Sequence, residues 1–160
     1  MVAVGVLGFW ALQPVDVLEI RTGPEGQLVK SVPVVPGDKI TYSYVHSIQK
    51  RPVVEIMEVA SNRHLVVREA VYDMVGVGLP SDVPDGTLFL DEATGKFHIV
   101  GMSRDIPVWR VRVAFTAEQT LELPGEKFTL DSLAAPLTLL EISVVQRPRF
   151  SVWRFPFGRE

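Results

Sequence analysis

The chain has 160 residues and a formal net charge of -3 at neutral pH, with 47% hydrophobic and 22% charged residues. That length builds one domain with its own core, and that composition excludes a disordered or low-complexity protein. Sixteen basic against nineteen acidic residues give no global attraction to nucleic acid, and the lack of cysteine excludes a disulfide framework, a thiol nucleophile and a thiolate zinc site.

Residues 2–12 are uninterruptedly apolar and end at Gln13-Pro14. A membrane-spanning helix needs about 20 apolar residues, so this run is too short. It fits the core of an export signal, about 7–15 residues, but has neither the basic start nor the small-residue cleavage site. Two readings compete for residues 1–13: the remnant of a signal or anchor whose basic start lies upstream of Met1, or a buried first strand. A single β domain is expected over residues 14–160.

Valine dominates the rest of the chain. Twenty-six valines against nine alanines favour half-buried pleated surfaces, because β-branching restricts the side chain in a helical turn. Period-2 alternation recurs from residue 15 onward, and no apolar window keeps a 3.6-residue period without a Pro or Gly. Strands are expected at 15–21, in a second piece ending at 35, and at 40–46, 52–59, 64–71, 87–90, 97–102, 108–115, 119–123, 127–130, 137–145 and 150–157. Turns fall at Pro36-Gly37-Asp38, Pro84-Asp85-Gly86, Ala93-Thr94-Gly95 and Pro124-Gly125-Glu126, where glycine permits a positive φ. About ten short strands need two packed sheets or closure to bury their inner faces. The expectation is an all-β, two-sheet antiparallel β-sandwich or partly closed barrel.

Polar groups of interest concentrate in residues 42–55. Ile40, Tyr42, Tyr44 and His46 share one strand face. With a hairpin closed by residues 47–52, the simplest register pairs His46 with Val53 and Tyr44 with Glu55, setting Glu55 diagonal to His46. Glu55 then lies on the apolar stripe of Val53, Met57 and Val59 and needs a partner, which His46, a Tyr hydroxyl, Lys50 or Arg51 would supply. A perturbed His-Glu pair suits ligand binding or acid–base chemistry. The commoner meaning is a satisfied buried network that fixes the register. A Ser47–His46 nucleophile–base couple is disfavoured, since neighbours on a strand point to opposite faces and the couple would require the chain already to have turned.

Gly76-Val77-Gly78-Leu79-Pro80 could turn backbone donors toward an anion, but no phosphate-cradling helix start succeeds it, and a bulge or close backbone crossing is the preferred role. The tail 147–159 interleaves Arg147, Arg149, Arg154 and Arg159 with Phe150, Trp153, Phe155 and Phe157. Such a pattern suits single-stranded nucleic acid or a membrane interface. The preferred reading packs Trp153, Phe155 and Phe157 on the core, with the arginines solvated and no nucleic-acid partner. His46, His64 and His98 are too scattered for a metal cage, and no metal or cofactor is expected.

These residues resemble a known family, the bacterial and archaeal domain of unknown function 1850. Its aromatic-x-His-Ser stretch, then a Lys or Arg, Pro-Val and Glu, and later a Gly-Ala-Gly-Leu-Pro run, correspond here to Tyr44, His46, Ser47, Lys50, Pro52, Val53 and Glu55, then Gly76, Gly78, Leu79 and Pro80. Arg104, Pro107 and Thr120 are also similar in order and spacing, so the likeness covers residues 15–130. Departures are Gln49 where an acid is usual, Val77 for the middle Ala, and Met74 where Ser is frequent.

The resemblance implies a small exported or membrane-anchored protein, periplasmic or on the outer face of the membrane, often encoded beside fused permeases of tripartite ATP-independent periplasmic (TRAP) transporters. It favours the signal-or-anchor reading of residues 1–13 and implies no established activity. A transporter permease or solute-binding protein, a small ligand, and membrane association through the N-terminus are the expected partnerships. Three functions stay open. The preferred one is a non-enzymatic extracytoplasmic binding accessory; the others are a small enzyme using His46 and Glu55 as an acid–base pair and a structural envelope domain.

Overall fold

The valine-rich alternation resolves into eleven strands among residues 12–23, 26–74 and 85–152, the part of the chain described by a computed structural model. The strands are β1 (Pro14–Thr22), β2 (Gln27–Pro33), β3 (Lys39–Val45), β4 (Pro52–Val59), β5 (Leu65–Tyr72), β6 (Thr87–Asp91), β7 (Lys96–Ile106), β8 (Trp109–Arg112), β9 (Thr120–Leu123), β10 (Glu126–Thr129) and β11 (Leu139–Pro148). A 3-10 turn (Leu130–Ser132) comes after β10, and a short helix, α1 (Arg149–Val152), after β11.

Pairing is antiparallel throughout and builds two sheets, ordered β2-β1-β11-β8 and β10-β9-β3-β4-β5-β7-β6. Neither closes into a barrel; they pack face to face as a sandwich. β1 and β11 pair from Pro14 opposite Pro148 to Thr22 opposite Leu140, so their alternations coincide and Leu18, Ile20, Leu140 and Ile142 all enter the core. Ile40, Met57, Val59, Leu65, Ile99 and Leu121 meet them from the seven-stranded sheet. Each fully buried Leu or Ile contributes about 2 kcal/mol.

Some turns obey the expected chemistry. Gly37 takes φ 95 while the Asp38 carboxylate accepts the Val35 N–H at 2.8 Å, and Gly125 takes φ 82 in the two-residue link between β9 and β10. Gly86 differs: its φ is not positive, and an added Cβ would lie 2.9 Å from Ile99 Cγ2 and 3.0 Å from Met102 Cγ. Close approach to β7, rather than turn geometry, calls for glycine there.

β7 runs further than the alternation suggested. Its register against β5 slips where Gly101, Met102 and Ser103 stand against Arg68 alone, so Val100 faces Glu69 and the next pair is Arg104 with Val67. Gly101 at φ 77 takes up the bulge, Met102 turns into the core, and the strand continues to Ile106. β8 ends at Arg112, short of the expected 115, because the Ala114 N–H is taken by the Gln119 side chain at 2.7 Å.

The strand expected at 150–157 does not begin as one. Pro148 has no N–H for a ladder, the Ser151 hydroxyl donates to the Pro148 carbonyl at 2.7 Å, and residues 149–152 turn helical. Trp153, Phe155, Phe157 and the apolar run to residue 11 lie outside the described residues.

Candidate functional site

The β3–β4 hairpin forms where expected but in a register shifted by two residues: Tyr42 faces Glu55 and Tyr44 faces Val53. The turn sets this. The His46 N–H donates to the Arg51 carbonyl at 2.8 Å, the Lys50 N–H donates to the His46 carbonyl at 2.9 Å, and Lys50 takes φ 53. His46 therefore faces Arg51 rather than Val53, and lies four residues along β3 from the level of Glu55, about 13 Å at the usual strand rise. The expected diagonal His46–Glu55 contact is not made. The His46 Nδ1 instead accepts the Gln49 N–H at 3.3 Å. Ser47, Lys50, Arg51 and Pro52 are exposed around this turn. Gly76, Gly78, Leu79 and Pro80 lie outside the described residues.

Glu55 does lie on the apolar stripe, flanked by Val53 and Met57 along β4 and by Tyr42 and Ala70 across the sheet. Burial pushes its carboxyl above the usual range, and the charge of Arg104 pulls partly back. Among the described residues, no hydrogen bond reaches the carboxylate. Burial also raises the phenols beside it, Tyr44 to about 12, with the Glu55 charge adding to the effect. Tyr42 is raised too, chiefly by burial.

Tyr42 is held from three directions. Its ring stacks on Tyr44 at 5.0 Å, Trp109 of the opposite sheet meets it edge-on at 4.8 Å, and its hydroxyl accepts a hydrogen bond from Gln119 Nε2 at 2.7 Å. Gln119 also donates to the Arg112 carbonyl at 3.0 Å, so its amide ties Tyr42 to the end of β8. Trp109 reads in the sequence only as an ordinary strand residue, and Gln119 as the start of a strand. No local signal marks either as a Tyr42 partner, since both act across the sandwich or from a loop.

Arg104 stands opposite Val67 in the row of Met57, two levels along from the row Tyr42, Glu55, Ala70 and Ile99. It is exposed and makes no ion pair among the described residues, so its charge reaches Glu55 through space. A hollow of about 440 Å³ adjoins Tyr44, bounded by Ser43, Pro52, Glu118, Thr120 and Asp131. A second, of about 320 Å³, shares Glu118 and Asp131 and reaches Gln119 and Phe115. Two phenols, a carboxyl raised by burial and the charge of a guanidinium thus act on one another around Glu55. Among the described residues, no group of His, Asp and Glu is arranged to hold a metal ion, and no helix is long and apolar enough to cross a membrane.

A family model described as domain of unknown function (DUF1850) matches residues 40–130, more than half the chain. The protein belongs to the DUF1850 family. Tyr42, Tyr44, Glu55, Arg104, Trp109 and Gln119 all fall inside the matched span, which covers nearly all of the seven-stranded sheet together with β8. Strands β1, β2 and β11, most of the other sheet of this DUF1850 protein, fall outside it. No curated protein and no solved structure matches the chain.

Proposed function

We propose that this DUF1850 protein is a non-enzymatic extracytoplasmic accessory that binds a small ligand beside Tyr44, Glu55 and Arg104 and works with a TRAP-type transporter permease or solute-binding protein. One observation carries the binding reading. Glu55 sits among core residues with a carboxyl raised by burial and no hydrogen bond from the described residues, while two phenols and a guanidinium charge face it. Buried polar groups are nearly always bonded, and a carboxyl left this way is suited to a partner that arrives with the ligand. An acid–base enzyme would need His46 at Glu55, and the hairpin register separates them. The transporter partner, the location and membrane attachment through the N-terminus are supported by the family resemblance.

The test is purification of tagged full-length chain from native membranes, wild type and Glu55→Gln in parallel, followed by a thermal-shift screen of small polar metabolites. A permease or solute-binding protein is expected to accompany the wild type. A stabilising ligand is expected for the wild type and not for the folded Glu55→Gln variant. Full retention of ligand response by that variant removes the binding reading, and absence of any transporter component removes the partner reading.

A further inference from the structure

The outer face of the four-stranded sheet carries a charge cluster far from Glu55. Alternation in β1 sends Leu18 and Ile20 into the core and Glu19 to the other side, where its side chain is still only 3% exposed. Two arginines account for that burial. Arg21 donates from Nε and Nη2 to Glu19 Oε2 at 2.9 and 2.7 Å; Arg147 of β11 donates from Nε to Oε1 at 2.7 Å and from Nη2 to Oε2 at 3.0 Å. Burial pushes the Glu19 carboxyl upward, but the hydrogen bonds and charges of Arg147 and Arg21 outweigh it and hold the group below the usual carboxylate range. One carboxylate thus organises two guanidiniums and leaves one positive charge uncompensated.

A hollow of about 250 Å³ opens over this cluster, lined by Glu19, Arg21, Leu28, Ser31, Arg147 and Ser151 among others. A guanidinium has five N–H donors. Arg21 uses a third on the Gly26 carbonyl at 2.6 Å, so two stay free among the described residues, while Arg147 keeps three. The Ser31 hydroxyl makes no hydrogen bond among the described residues. Glu19 therefore fixes the two forks in place without exhausting them, which lowers the ordering cost of binding.

We propose that this hollow is a binding site for a small oxyanion, the phosphate or carboxylate group of a soluble ligand or of a lipid headgroup. Paired guanidinium donors match the oxygen spacing of such groups, which a spherical chloride ion does not share. Every residue named in the hollow lies outside the family-matched span 40–130 and none adjoins Glu55, so the site is independent of the Glu55 reading.

The experiment titrates inorganic phosphate into the full chain at ionic strength held constant with sodium chloride, following the melting temperature and the arginine Nε–H resonances. Saturable shifts of the Arg21 and Arg147 signals and a rise in melting temperature are expected. Arg147→Lys keeps a charge near Glu19 but removes the fork, and should weaken phosphate binding about tenfold. Ser31→Ala leaves both ion pairs intact and should weaken it about threefold at an unchanged ligand-free melting temperature, which separates binding from folding. In a parallel arm, sedimentation with phosphatidylglycerol vesicles against phosphatidylcholine vesicles tells a headgroup from a free anion; binding only to the former, lost in Arg147→Lys, supports the headgroup source. Non-saturating phosphate shifts with no preference for anionic vesicles overturn the proposal, as does equal affinity in all three proteins.

Discussion

Tyr42 and Glu55 stand directly opposite one another across β3 and β4, a phenol and a carboxyl side by side on the core-facing side of a sheet with no hydrogen bond between them. The phenol is spoken for by Gln119, and the carboxyl is not. Stability should therefore respond in opposite ways to removing one or the other.

Glu55→Gln should stabilise the ligand-free protein. Burial raises the folded carboxyl above its ordinary value of 4.5, so the folded state holds its proton more tightly than the unfolded chain. That advantage is present below about 4.5 and disappears as pH rises through the folded value, leaving a buried charge to be borne at neutral pH. The variant should gain about 1 kcal/mol in urea at pH 7, after discounting for partial exposure. Its margin over wild type should shrink as pH falls through the raised folded value toward 4.5 and stay constant below that. A satisfied buried network gives the opposite sign, a lower midpoint at pH 7.

Tyr42→Phe should cost about 1 kcal/mol, the usual value of one hydrogen bond, because Gln119 keeps its bonds to Ala114 and Arg112. Trp109 lies edge-on to the altered ring and reports on it. Near-native tryptophan fluorescence with a slightly lower denaturation midpoint is expected, and an unfolded spectrum would show that the hydroxyl matters far more than one bond.

Glu19→Gln should behave in the reverse sense to Glu55→Gln. The arginines hold the Glu19 carboxyl low, so its contribution is present above about 4.5 and is lost as pH falls through the lower folded value. At pH 7 the substitution should cost about 2 kcal/mol, below the full value for a broken buried pair because both arginines are partly solvated. Urea melts of the variant and wild type should converge in acid.

Gly86→Ala should cost about 1–3 kcal/mol through overpacking against Ile99 and Met102. Adding Met102→Ala should recover part of that loss, since the crowded Cγ is then gone. Equal losses for the single and double variants would place the strain in the backbone near the Val100 carbonyl instead.

Strand positions were legible because alternation is a local property: residues 52–59 read as a strand and form β4 (Pro52–Val59). The register of that strand was not, since it depends on Lys50 adopting a positive φ that nothing in Ser47-Ile48-Gln49-Lys50 advertises. Gly101 marks a bulge rather than an end, which is why β7 outran its expected limit. Glu55 was legible as a carboxylate on an apolar stripe, but its true neighbours needed the register. Only half of the Glu19 clamp had a local trace, Arg21 two residues along the same strand face, because its second arginine lies 128 residues away.

The family-matched span leaves β8 paired only with β11, a strand that lies beyond it. A fragment cut at residues 40 and 130 would expose Ile40, Met57, Leu65 and Ile99 to water where Leu18, Ile20, Leu140 and Ile142 now cover them. The span defined by likeness to relatives is thus narrower than the two-sheet sandwich that buries the core. Any expression design or domain swap with this protein should take its limits from β1 and β11, which close the sandwich from opposite ends of the chain.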